Sequence, residues 1–292
     1  MPGWTSASVA ALVCAVAPLL GFAFAGDRLV QLCRKLPLVP RLLLPALFGV
    51  PYLIAGNVSP GRGNWMVLYF TLPVLVAILL WHARQADPHQ QGDWRDFAIL
   101  LILGSAVDLR WLEQAWPDHM SVISKLMLLD SGLYGFLVAR ELTGVGFDLR
   151  IHRDDVSAGL RELAFYAPIA VPLGLALGFL HFHARLPDLK SAGLTAIFTF
   201  LFIAVPEEIY FRGWMQNLLE RRLGRHGSLI LTAAIFGLAH FNKRSSHFNW
   251  SYVLMATIAG IFYGRAWRKS HRVAASSLTH AGVDTIWALW LT

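Results

Sequence analysis

The stretch Leu194-Thr195-Ala196-Ile197-Phe198-Thr199-Phe200-Leu201-Phe202-Ile203-Ala204-Val205 carries no charge and runs directly into Pro206-Glu207-Glu208. With its neighbours from Ser191 it approaches the ~20 apolar residues that a membrane-spanning helix needs. Similar runs lie near 5–25, 37–55, 65–82, 97–112, 122–142, 162–180, 228–241, 250–267 and 273–291. Asp108 and Arg110 weaken the run at 97–112, and 228–241 is short. The count is therefore about 8–10 spans. No segment alternates with period two, which argues against a β-barrel. The fold class that follows is all-α, a polytopic transmembrane helical bundle. Composition agrees: 56% of the 292 residues are hydrophobic and 15% are charged, against roughly 25% charged in soluble domains. Mean hydropathy is +0.52. Prolines such as Pro40, Pro45, Pro51, Pro73, Pro168 and Pro172 fall inside spans, where membrane helices tolerate them.

A net charge of +7 raises the question of nucleic acid, but the basic residues sit in short loops between apolar runs. No basic stripe interleaved with aromatics is present to follow a phosphate backbone. Lys and Arg number 16 in the loops 26–36, 82–96, 143–161, 207–227 and 265–272. The opposite side holds 6, namely Arg62, Arg110, Arg185, Lys190, Lys243 and Arg244. The positive-inside bias makes the first set cytoplasmic and puts both termini outside. Cys14 and Cys33 have no CxxC or metal spacing, so no disulfide framework is expected. The first run ends Ala23-Phe24-Ala25 without a preceding Lys or Arg, and reads as an uncleaved span. The polar linker 143–161 divides an N-terminal part, 1–150, without chemical motifs from a C-terminal part, 151–292, that has them.

Ionisable groups within membrane helices are costly and mark functional sites. Glu208 and Arg212 are four apart and share a helix face. Glu207 points about 100° away from that pair, so one carboxylate is neutralised and the other is left free. Phe236-Gly237-Leu238-Ala239-His240 closes a second run, its small residues suiting close helix approach. In the last run His280 and Asp284 are again four apart. That spacing suits a carboxylate orienting an imidazole, or two ligands of one metal. Lys125, Asp130 and Arg140 read as mutually neutralising or snorkelling charges. His181 and His183 read as interfacial. If the three clusters converge, they supply a base for water, a proton shuttle and oxyanion donors, the requirements of amide hydrolysis.

The order EExxxR, FxxxH and HxxxD, on successive helices over about 160–292, resembles the CAAX-processing and bacteriocin-processing (CPBP, or ABI) family of intramembrane proteases. The resemblance implies catalytic roles for Glu207, His240, His280 and Asp284. Glu207 would activate water with His240, and His280 with residue 284 would face the oxyanion. Glu208, Arg212 and Phe236 would give structural support. Well-studied CAAX-processing members carry Asn where this chain has Asp284, and an ionised Asp cannot donate to an oxyanion. Asp284 would be protonated, orient His280 or bind a cation. The resemblance leaves the cofactor open: a divalent metal is compatible with it, although no HExxH is present.

The expected activity is endoproteolysis of a membrane-associated protein or peptide, in a cavity open to the cytoplasmic side or laterally to lipid. The expected location is a prokaryotic inner membrane. The partners are that substrate and the bilayer, with no nucleic acid. Two readings stay open beside it. One is a non-catalytic membrane binding protein, for bacteriocin immunity or scaffolding. The other is a proton-coupled transporter, for which the inverted repeat is not found.

Overall fold

The computed structural model describes residues 5–56, 62–117, 120–183, 188–243 and 247–291. Arg185 and Arg244, counted above among the opposite-side basic residues, lie outside them. All regular structure among the described residues is helical. The chain forms two compact units, Met1–Thr143 and Gly144–Thr292.

The first unit contains α1 (Ser6–Lys35), α2 (Leu38–Leu43), α3 (Val50–Ala55), α4 (Arg62–Ala86), α5 (Trp94–Asp108) and α6 (Val122–Tyr134). The run expected to end at 25 continues to Lys35 across a non-helical residue, Ala25 (φ −135°). Between α2 and α3 the helix tightens into a 3₁₀ segment, Leu44–Gly49. Pro45 and Pro51 stand at the start of the 3₁₀ segment and of α3, where a missing N–H costs least. The run Val122–Ala139 is 83% buried, whereas α1 and α4 are 28% and 33% buried. The outer helices leave large apolar side chains such as Val13, Val67 and Leu101 bare. Apolar faces of that extent are stable against lipid and not against water. Five runs among the described residues are long and apolar enough to cross a membrane, and the protein is an integral membrane protein.

The charges in this unit are paired differently from the sequence expectation. Lys125 meets Glu113 at 3.0 Å. Arg140, fully buried, donates from Nε to Asp96 Oδ1 at 2.8 Å and from Nη2 to Asp87 Oδ2 at 2.7 Å. Asp130 is buried, with Oδ1 lacking a hydrogen-bond partner. The partners of Arg140 and Lys125 are distant in sequence, so spacing within one span did not reveal them.

The second unit contains α7 (Arg153–Ala176), α8 (Leu189–Thr199), α9 (Val205–Glu208), α10 (Asn217–Leu238), α11 (Trp250–Ser270) and α12 (Val273–Trp290). Two π-helical segments, Phe200–Ala204 and Ile209–Gln216, join α8 to α9 and α9 to α10. The stretch 207–227, expected as a loop, is therefore largely helical. It breaks at Gly224, whose φ of 67° is open to glycine and strained for other residues. The chain turns back there: Gln216 and Leu229, on either side of the break, both meet Gly264 of α11. Farther along, Ala233 meets Gly260. Gly237 backs onto Val253 and Thr257, where a Cβ would clash with both. α10 beyond the break and α11 thus run antiparallel. α7 and α12 run parallel, with Gly159 against Leu278 and Leu163 against Gly282.

A polar loop ties the starts of α7 and α12 together. Arg272 donates to Asp155 Oδ1 at 3.0 Å and to the Arg150 carbonyl at 2.7 Å. Asp148 accepts from Arg150 Nε at 3.0 Å and Nη2 at 2.9 Å. Burial pushes the Asp148 carboxyl up, but hydrogen bonds from Arg150 and the charges of Arg150 and Arg272 outweigh it and hold the group below its usual value.

Two outcomes follow from these pairings. Asp96→Ala leaves the Arg140 guanidinium buried without its fully buried carboxylate partner and lowers stability by about 3–5 kcal/mol. A thermal unfolding midpoint in detergent equal to wild type would contradict the pairing. Asp148 has a depressed folded-state pKa, so its stabilisation is complete above the ordinary aspartate value of about 4. It is lost as pH falls through the depressed value. Hydrogen-exchange protection factors across 146–155, corrected for the intrinsic pH dependence of exchange, should fall on acidification in wild type and show a weaker pH response in Asp148→Asn.

Candidate active site

Pro206 interrupts the hydrogen-bond ladder of a long helical run, because it lacks an N–H for the preceding turn. The widened π segments flank it on both sides. Such segments in α-helices are rare and recur at functional sites. Glu207 and Glu208 occupy the short α turn between them. Despite the wider turn that follows, Glu208 and Arg212 still meet, with Oε2 and Nε 3.1 Å apart and both side chains fully buried. Arg212 also donates from Nη2 to the Gly260 carbonyl at 3.2 Å. Its guanidinium carbon lies 5.2 Å from the centroid of Phe236. The Phe236 ring thus presents an aromatic face to the cation.

Glu208 has a second partner that the sequence did not reveal. Its Oε1 lies 2.9 Å from His280 Nδ1. One carboxylate therefore holds a guanidinium with one oxygen and an imidazole with the other. A carboxylate accepts, so Nδ1 carries the proton and Nε2 faces the remaining acids. Asp284 Oδ2 is 3.4 Å from Nε2, and Glu207 Oε2 is 3.9 Å from it. The His280–Asp284 pair expected from i, i+4 spacing is present, but it is looser than the contact with Glu208. Tyr263 of α11 lies flat on the imidazole, centroids 4.5 Å apart and planes 15° apart. Phe236 meets the same ring edge-on at 5.7 Å. Tyr263 sits in an apolar span with no neighbouring motif, so no sequence signal pointed to it.

His240 lies beyond the end of α10. Its Nδ1 is 2.8 Å from the Phe236 carbonyl. That oxygen can only accept, so Nδ1–H donates and the neutral ring keeps a lone pair on Nε2. The ring is packed between Phe236 (4.8 Å) and Tyr252 (5.2 Å).

A cavity of about 270 Å³ brings Glu207, His240, His280 and Asp284 to one surface. Its other walls are mostly apolar and aromatic, including Tyr166, Phe179, Tyr252 and Trp287. Within it Glu207 Oε2 is buried and without a hydrogen-bond partner, whereas Glu208 is consumed by Arg212 and His280. The two adjacent carboxylates therefore differ as the helical repeat suggested, one fixed and one available. Carboxylate oxygens thus face both ring nitrogens of His280, Glu208 at Nδ1 and Asp284 at Nε2.

Among the described residues, no group of three or more His, Cys, Asp and Glu side chains is arranged to hold a metal ion. The exposed His181 and His183 are tied through their backbone N–H groups to the carbonyls of Leu291 and Trp290. The donor set among the described residues does not fit a resident metal.

Searches of curated proteins and of solved structures return no match. Residues 189–286, which contain every site residue named from the sequence, match the family model described as type II CAAX prenyl endopeptidase Rce1-like, the CAAX-protease family that the motifs resemble.

Proposed function

We propose that the chain is an intramembrane endopeptidase that cleaves a peptide bond of a membrane-associated protein or peptide with water activated by Glu207. The observation that carries this reading is the Glu207 carboxylate, which lines the cavity beside three other ionisable groups with no hydrogen bond to its Oε2, while its neighbour Glu208 is locked away. The family match at 189–286 supports the reaction class. The breadth of the family and the short loops favour a prokaryotic inner membrane as its location.

On this reading each group has a step that its geometry supports. A water between Glu207 and His240 loses its proton to the Glu207 carboxylate as its oxygen attacks the scissile carbonyl. His240 is suited to accept through Nε2, because Nδ1–H is committed to Phe236. The carbonyl oxygen becomes an oxyanion and draws on the Nε2–H of His280. Glu208, holding Nδ1, and Tyr263, stacked on the ring, keep that donor aimed. Asp284 then works by orienting and balancing the imidazolium, a role that does not require it to be protonated. Collapse of the intermediate breaks the C–N bond, and the proton taken by Glu207 passes to the leaving amine. The apolar walls exclude bulk water, which strengthens each of these interactions.

Glu207→Gln removes the base and keeps the shape, and should lower cleavage by about 10²–10⁴-fold without altering the unfolding midpoint. Glu208→Gln should lower both cleavage and stability, because it strips a buried guanidinium and an imidazole of one shared acceptor. The direct test compares peptide termini in membranes of cells expressing wild type and Glu207→Gln. Termini present only with wild type support the protease. Identical termini, with both proteins folded and the phenotype retained, move the non-catalytic binding protein to first place.

A further inference from the structure

The reading of Glu207 as a water-activating base leaves open from which face of the membrane the substrate comes. Three observations bear on it.

The first is the direction of the helices. α7 and α12 run in parallel, and α11 runs against them, as does α10 beyond Gly224. One face of this unit therefore gathers the starts of α7 and α12, the turn at Gly224 and the end of α11. The other gathers the ends of α7, α10 and α12 with the start of α11. The backbone bonds of His181 and His183 to Leu291 and Trp290 belong to this second face.

The second is where the cavity lies. Most of its lining residues come from the halves of the helices nearest the second face, reaching Leu180, Lys243, Tyr252 and Leu291, while Leu163, Tyr263 and His280 form its inner end. Toward the first face the site is closed. Arg212, Trp214, Gln216, Tyr263 and Trp267 are each no more than 2% exposed, and they form a packed floor beneath His280. Gln216 is fixed to the Gly264 carbonyl at 3.3 Å.

The third is charge. The segments 143–161, 207–227 and 265–272 on the first face carry eleven Lys and Arg, of which only Arg212 is spent inside the site. The described residues of 177–190 and 239–249 on the second face carry two, Lys190 and Lys243. That asymmetry makes the first face cytoplasmic.

We infer that the cavity is entered from the extracytoplasmic face, and that its substrate is a membrane-anchored peptide whose scissile bond lies on that side of the bilayer. The expectation of a cytoplasmic opening gives way because the packed floor separates the basic face from Glu207 and His280. The apolar walls suit a peptide segment lying in the outer leaflet, with an apolar side chain against Phe179, Tyr252 and Trp287.

Sidedness is testable without turnover, so failure of this inference and failure of the protease reading are separable. In a Cys14→Ala, Cys33→Ala background, single cysteines are placed at Phe182 and Lys269, both exposed, and at Val283 in the cavity wall. Right-side-out and inside-out membrane vesicles are treated with a small, membrane-impermeant thiol reagent. Phe182→Cys and Val283→Cys should react in right-side-out vesicles, and Lys269→Cys only in inside-out ones. The reverse pattern at Phe182 and Lys269 would overturn the orientation. Reaction of Val283→Cys from the Lys269 side would overturn the route of entry. Phe182 and Lys269 are surface positions whose substitution leaves the packed site intact, so they report even if Val283→Cys misfolds.

Discussion

A single carboxylate in a dry environment organises the second unit of this protein. Glu208 is fully buried, and an ion in such a place persists only when its charge and its lone pairs are answered. Arg212 answers one oxygen and His280 the other. Arg212 belongs to the helix of Glu208, but His280 comes from α12, and the Gly260 carbonyl that takes Arg212 Nη2 comes from α11. The electrostatic need of one side chain therefore fixes the mutual placement of three helices. The aromatic rings of Phe236 and Tyr263 fill the space around this cluster and keep water out. Glu207, one residue away, inherits a defined position without being drawn into the network.

The fold class was legible because lipid imposes a uniform demand on every span. Runs such as Leu194–Val205 cannot be hidden from water in a chain of this size. What escaped the sequence was local geometry. The stretch 207–227 carries Arg212, Arg221, Arg222 and Arg225 and reads as a loop, yet it remains helical to Gly224 because its apolar face packs inside the unit. Pro206 hinted at a disturbance, but whether a proline kinks, ends or widens a helix depends on what surrounds it.

The site was legible in part, for a related reason. Pairs four apart on one helix, Glu208 with Arg212 and His280 with Asp284, can be seen in a linear text. Contacts between helices cannot. The 2.9 Å approach of Glu208 to His280 spans 72 residues, and Tyr263 reaches the same imidazole from an otherwise apolar helix. The charges of the first unit teach the same lesson, since Arg140 found Asp87 and Asp96 and not a neighbour in its own span.

The break at Gly224 has a bearing on how this unit is assembled. The two arms that it joins form a helical hairpin, and they bring Glu207, Glu208, Arg212 and His240 into the bilayer together. Within that hairpin Glu208 and Arg212 already cancel each other's charge, which lowers the cost of moving them out of water. His280 and Asp284 follow on a helix synthesised later. Until it docks, Glu208 lacks the second of its partners. The order of residues along the chain thus leaves the network around Glu208, and the cavity beside it, incomplete until the last helix is in place.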